Sequence, residues 1–152
     1  MIEITPLPIA PAALLESFSR GRDATGAIAS FTGLTRADGR DGAVARLTLQ
    51  AYPGVTEKVM AEIEMEARAR FDIQDVLAVH RWGEIGVGEP IVFVAVAAAH
   101  RRAAFEAVDF LMDHFKTRAP FWKREDGPDG RRWIEPRDQD HADLARWAEE
   151  TA

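Results

Sequence analysis

Lys116 and Lys123 stand seven residues apart in "FKTRAPFWKRE", residues 115–125, with an arginine, a proline and two aromatic rings between them. A lysine held beside apolar walls or other cations gives up its proton more easily, and the neutral amine can then act as a base or nucleophile. A lysine that stays charged can stabilise an anionic adduct. Lys116 falls one residue past Phe115, in the last turn of a strongly amphipathic helix, where the helix dipole favours a cation. That placement alone would account for it. Lys123 is different. In a strand starting at Phe121, the side chains of Phe121, Lys123 and Glu125 share a face, while Trp122 and Arg124 point the other way. A pocket that gathers Lys123 with Lys116, Arg101 and Arg36, with Phe121 and Trp122 as walls, would make Lys123 the neutral amine and Lys116 the fixed cation.

Two further stretches carry cations suited to an anion. In "AAAHRRAAF", residues 97–105, His100 and Arg101 sit where a buried strand hands over to a helix. The unpaired N–H groups of a first helical turn attract anions. In "SFTGLTRADGRDG", residues 30–42, Gly33 permits close backbone approach and Arg36 opens a charged loop with two glycines. Solvated surface cations and a plain hairpin loop are the alternatives. "GEIGVGE", residues 83–89, has spaced glycines but no helix behind it, so it is a turn and not a dinucleotide fingerprint. The four histidines lack metal-ligand spacing, so no metal site is expected. The chain contains no cysteine, so it has no thiolate of its own. Any sulfur chemistry needs sulfur delivered on another molecule.

The elements that must position these residues follow from periodicity. The 152 residues suit one domain, 1–152, with 138–152 as an acidic C-terminal helix or tail. The net charge of −6 argues against a nucleic-acid partner. The most apolar run, residues 91–99, is far short of the roughly 20 residues a membrane helix needs, and residues 1–18, with Glu3 and two early prolines, do not read as a signal peptide. The expectation is a soluble, cytoplasmic protein. "ITPLPI", residues 4–9, reads as a short edge strand, since prolines are tolerated at sheet edges, and 11–19 as a short helix with Pro11 in its first turn. Residues 26–35, 44–52, 73–83 and 91–99 read as strands, with 36–43 a loop. A helix follows Thr56, read as its N-cap, with Val59, Met60, Ile63 and Ala67 on one face. A second, over 100–119, carries Ala104, Phe105, Val108, Leu111, Met112 and Phe115 as its apolar stripe and stops at Pro120. "DGPDG", residues 126–130, makes the turn of a β-hairpin. Strands joined by short turns favour an α+β class with a mainly antiparallel sheet, three main helices and a C-terminal β-hairpin.

The chain resembles the catalytic (large) subunit of molybdopterin synthase from about Gly26 to Trp147. The landmarks are "FTG" followed by Arg36, "YPGVTEK", "HRWGEI" with "VGE", "VAAAHR" with "AFEA", "KTRAPFWKRE" and "RWIE". The resemblance implies an α/β-hammerhead-like fold and a sulfurtransferase that converts cyclic pyranopterin monophosphate into molybdopterin. Sulfur would arrive as a thiocarboxylate on the C-terminal Gly-Gly of a small ubiquitin-like carrier subunit, with no other cofactor. The assembly implied is a heterotetramer around a central dimer of this chain. Substrate-binding positions carry over to Leu34, Thr35, Arg36, His100, Arg101, Lys116, Lys123, Arg124 and Glu125. Arg36, His100 and Arg101 would take phosphate and pterin, and Lys116 and Lys123 the catalysis. Leu34 departs from relatives with a basic residue there, which leaves backbone contact. A non-catalytic docking module for a ubiquitin-like partner, and an enzyme acting on another phosphorylated heterocycle, are the competing readings.

Overall fold

The computed structural model describes residues 1–39 and 42–149. In chain order the elements are β1 (Ile2–Thr5), α1 (Pro11–Ser19), β2 (Ala27–Leu34), β3 (Asp38–Gly39), β4 (Gly42–Ala43), β5 (Arg46–Ala51) and α2 (Val55–Arg70). They continue with β6 (Asp75–Arg81), β7 (Gly83–Gly86), β8 (Pro90–Ala98), α3 (Arg101–Arg118), β9 (Phe121–Gly127), β10 (Gly130–Ile134) and α4 (Asp138–Glu149). The α+β class follows, with strand pairs antiparallel throughout except β1 with β6.

Eight of the strands divide over two four-stranded sheets, and β3 and β4 pair only with each other. The first has the order β1-β6-β8-β2. Strand β8 is apolar without alternation because both of its faces are covered. Phe93, Ala95 and Ala97 pack with Ile9 and Phe18 on the α1 side. Val92, Val94 and Val96 pack with Met60, Ile63, Phe110 and Leu111 of α2 and α3 on the other. The second sheet has the order β10-β9-β5-β7. Leu47, Leu49 and Ile85 form its inner layer, with Phe121 and Ile91 against them. The outer face of this sheet leaves Trp122 and Trp133 exposed, edge to face at 6.3 Å.

Several local expectations change. The edge strand expected over 4–9 is β1 at Ile2–Thr5, and it ends where Pro6 removes a backbone donor. The residues 83–86 read as turn are strand β7, which pairs with β5 and leaves the turn to Val87 and Gly88. The loop after Arg36 holds the short β3–β4 pair, its tip at Arg40 and Asp41 lying outside the described residues. Thr56 is not the N-cap of α2. Gly54 occupies that position at φ 86°, a left-handed conformation that suits glycine, and its N–H donates to Glu57 Oε2 at 2.5 Å. Thr56 is instead the second residue of the helix and fully buried. Phe105 leaves the stripe of α3 and is 65% exposed, while Ala107, Phe110 and His114 take the buried positions. The C-terminal segment is helix α4 through Glu149, docked by Trp147 against Phe71 and Phe110. Residues 150–152 of the expected tail lie outside the described residues. Among the described residues no helix is long and apolar enough to cross a membrane.

Candidate active site

The pocket forms where the two sheets meet the end of α3. Strand β9 pairs with β5 on one side and β10 on the other, so Lys123 stands opposite Leu49 and Ile134. The alternation expected of this strand holds: Glu125 is buried with Lys123 half-buried beside it, and Trp122 faces solvent. Lys123 Nζ lies 3.9 Å from Glu125 Oε1, and Arg132 approaches the other oxygen of that carboxylate at 3.8 Å. Lys123 and Glu125 line a small cavity of about 50 Å³ with Thr35, Arg36, Gly39 and Leu47. A Cβ on Gly39 would stand 2.5 Å from Glu125 Oε2 and 2.7 Å from Val44 Cγ2, so a larger residue there would have to displace these side chains. Among the described residues, Thr35 Oγ1 and Glu125 Oε2 are buried without a hydrogen-bond partner. Such atoms suit a bound polar ligand, since burial without a partner costs free energy.

The electrostatics of Lys123 fit the chemistry expected of it. Burial pushes its ammonium below the usual lysine range; Glu125 opposes this, and Lys116, Arg36 and Arg137 push the same way. Three cations from three different segments therefore act on one amine. Lys116 is held in the last turn of α3, half exposed, with Asp140 Oδ1 3.6 Å from its Nζ. Asp140 also accepts the backbone N–H of Arg137 at 2.8 Å and its guanidinium at 3.3 Å. Beyond Lys116, between β2 and the α3–α4 pair, runs a groove of about 480 Å³ floored by Phe31, Phe105 and Met112 and rimmed by Arg137 and Asp140.

Arg137 and Asp140 are site residues that sequence reading missed. Their signal was available: an acid three residues after Arg137, at the start of a helical pattern, is the spacing that caps a first turn.

Not every expected residue gathers here. Leu34 and Thr35 line the cavity, Leu34 with its side chain exposed just past a bulge in β2. Arg124 points to the opposite face, paired with Asp126 at 3.0 Å and resting over Trp133. Neither expected aromatic wall is one. Trp122 is on the outer face, and Phe121 turns into the core to stack on His80 at 4.0 Å. The apolar lining near Lys123 is Val44, Leu47 and Ile91. His100 and Arg101 lie at the far end of α3, exposed, with His100 as its N-cap. Fifteen residues of helix separate Arg101 from Lys116, about 22 Å at 1.5 Å per residue. The pairing of β2 with β8 says the same, because Ala27 stands beside Ala98 whereas Leu34 stands beside Pro90. One copy of the chain does not bring Arg101 to Lys123.

These features define an α+β protein with a cation-ringed pocket built around a depressed lysine, suited to an anionic substrate. The profile of the MoaE protein family matches residues 4–118. The chain is 53% identical over 150 residues to the molybdopterin synthase catalytic subunit of Caulobacter vibrioides, covering 99% of each. It superposes on the molybdopterin biosynthesis MoaE protein of Burkholderia ambifaria with a TM-score of 0.81, at 41% identity and 97% coverage of both chains. The crystal structure of molybdopterin synthase from Staphylococcus aureus matches with a TM-score of 0.79 at 29% identity, over 87% of this chain and 95% of that one. The chain belongs to the family of molybdopterin synthase catalytic subunits.

Proposed function

We propose that this protein is the catalytic subunit of a molybdopterin synthase. It transfers sulfur from the C-terminal thiocarboxylate of a small ubiquitin-like carrier subunit to cyclic pyranopterin monophosphate, forming the dithiolene of molybdopterin. The observation that carries this reading is the half-buried Lys123 amine, depressed by burial and by Lys116, Arg36 and Arg137, beside a small cavity. The absence of cysteine agrees with it, since the sulfur has to come from elsewhere.

In this reading Lys123, neutral more readily than an ordinary lysine, transfers the proton. Lys116, with Asp140 beside it and at a helix C-terminus, is the cation that stabilises the tetrahedral adduct formed when the thiocarboxylate attacks. Arg36 takes the phosphate and Thr35 offers its unpartnered hydroxyl to the pterin. Leu34 contributes backbone, and Glu125 holds Lys123. Arg124, on the far face of β9, acts through the strand and does not touch substrate. His100 and Arg101 can join the same substrate only if they come from a second copy of the chain, which is how a central dimer within a heterotetramer would complete the pocket. The unit is the whole chain, working in the cytoplasm, with no cofactor beyond the sulfur its partner brings.

Reconstitution with thiocarboxylated carrier and the cyclic pterin, followed by detection of the dithiolene product, tests the proposal. Product formation that depends on both lysines supports it. Carrier binding without turnover or pterin binding would replace it with a docking role.

A further inference from the structure

Lys116 and Lys123 are joined by one sharp corner, Ala119 and Pro120, between α3 and β9. Whatever holds that corner sets how the two amines face each other. Three contacts do so. The N–H of Phe121 donates to the carbonyl of Ala119 at 2.9 Å, which tightens the turn itself. The Phe121 ring stacks on His80 of β6. The third contact comes from 64 residues away. The hydroxyl of Thr56, in the first turn of α2, donates to the carbonyl of Pro120 at 3.1 Å. The same oxygen accepts the N–H of Tyr52 at 3.0 Å. Thr56 is completely buried. Its one proton and one lone pair therefore tie the end of β5 and the start of α2 to the corner. The register agrees, because Ala51, the last residue of β5, pairs with Phe121.

We infer that Thr56 is a positioning residue for the sulfur-transfer site: its hydroxyl clamps the Pro120 corner and so fixes Lys116 relative to Lys123. This rests on the reading of those lysines given above. The groups that face Lys123 are Glu125 on its own strand, Lys116 on α3, Arg36 after β2, Asp38 on β3 and Arg137 before α4, with Arg132 of β10 acting through Glu125. The clamp governs the Lys116 contribution among these. A burial that merely filled space would need the shape of threonine and not its oxygen.

Thr56→Val keeps the shape and removes the oxygen, whereas Thr56→Ser keeps the oxygen and removes a methyl. In the reconstituted complex, kcat should fall about tenfold in Thr56→Val, the scale of a sub-ångström misplacement of catalytic groups. KM for the cyclic pterin should change little, and Thr56→Ser should stay within about twofold of the wild type. A second readout needs no turnover. Acylation of Lys123 by an amine reagent, followed across pH by peptide mass spectrometry, reports the titration of that amine. It should move to higher pH in Thr56→Val, as Lys116 drifts away, and stay in place in Thr56→Ser. If wild-type protein makes no product, the sulfur-transfer reading fails while the labelling still decides the clamp. Should Thr56→Val not fold, Thr56→Ala against Thr56→Ser makes the same comparison. Equal losses in the serine and valine variants, or an unmoved Lys123 titration in Thr56→Val, would overturn the inference.

Discussion

The Nζ of Lys123 and the Oε1 of Glu125 stand 3.9 Å apart on one face of β9, the carboxylate buried and the amine half-buried. Glu125 opposes the other influences on the amine. Burial and the neighbouring cations push Lys123 toward the neutral form, and Glu125 pulls it back. The balance leaves an amine that is easier to deprotonate than an ordinary lysine yet still anchored.

Removing either amine should abolish product. Lys123→Ala and Lys116→Ala are each expected to lower kcat by about 10²–10⁴-fold, the usual range for a lost acid–base group. Binding of the carrier, followed by calorimetry, should change little. Activity near the wild-type level in both variants would remove the lysines from the chemistry.

The rate should rise with pH and level off below the usual lysine range, because the base is the neutral form of a depressed amine. Stability follows the same group. Its folded pKa lies below the unfolded value, so between the two the unfolded chain holds more protons and stability increases with pH through that window. Chemical denaturation at a series of alkaline pH values, compared with Lys123→Met, isolates this contribution. A pH–rate profile that is flat from neutral to alkaline pH contradicts the assignment of Lys123.

Glu125→Gln takes away a carboxylate that favours the charged amine. The rising limb of the pH–rate profile should therefore shift to lower pH, while kcat on the plateau falls because Lys123 is no longer anchored. A shift to higher pH would show that the carboxylate does not act on Lys123 as its position indicates.

Asp140 ties Lys116 and Arg137 to α4. Burial raises its pKa, but the backbone and guanidinium of Arg137 and the charges of Lys116 and Arg137 outweigh this, so the net shift is downward. A depressed carboxyl stabilises the fold above its unfolded pKa, and that stability is lost as pH falls through the folded value. Asp140→Asn should cost about 1–3 kcal/mol, a drop of several degrees in Tm for a chain of this size, since each kcal/mol is worth about 2–4 °C. Thermal melts at neutral and acid pH check it: the difference between variant and wild type should shrink in acid.

The apolar patterning made most elements legible. Helix α1 spans 11–19 as Pro11 indicated, and the hairpin turns where "DGPDG" places it. Strand β7 was hidden because four residues with two glycines carry no alternation to read, and it exists because β5 offers it an edge. The Thr56 cap failed for a related reason. Threonine at a helix start usually serves its own helix, but here Glu57 and Gly54 close that end and the hydroxyl is taken by Tyr52 and Pro120. Phe105 fits the helical period of α3, yet the groove beside β2 leaves it uncovered.

By itself the sequence determined the chemistry on offer: two lysines flanking a proline corner, cations enough for an anionic substrate, and no thiol of its own. It also determined that β9 would turn Lys123 and Glu125 to one side and Trp122 to the other, since strand alternation is a local property. Only the tertiary structure decided which cations act together. Arg36, Lys116, Lys123 and Arg137 meet because β2, α3, β9 and α4 end at the same corner of the molecule. His100 and Arg101 are carried away from them, because a helix of 18 residues separates its two ends by its own length. Helical rise is rigid, so charges that suit one substrate in sequence stand at opposite ends of one chain in space.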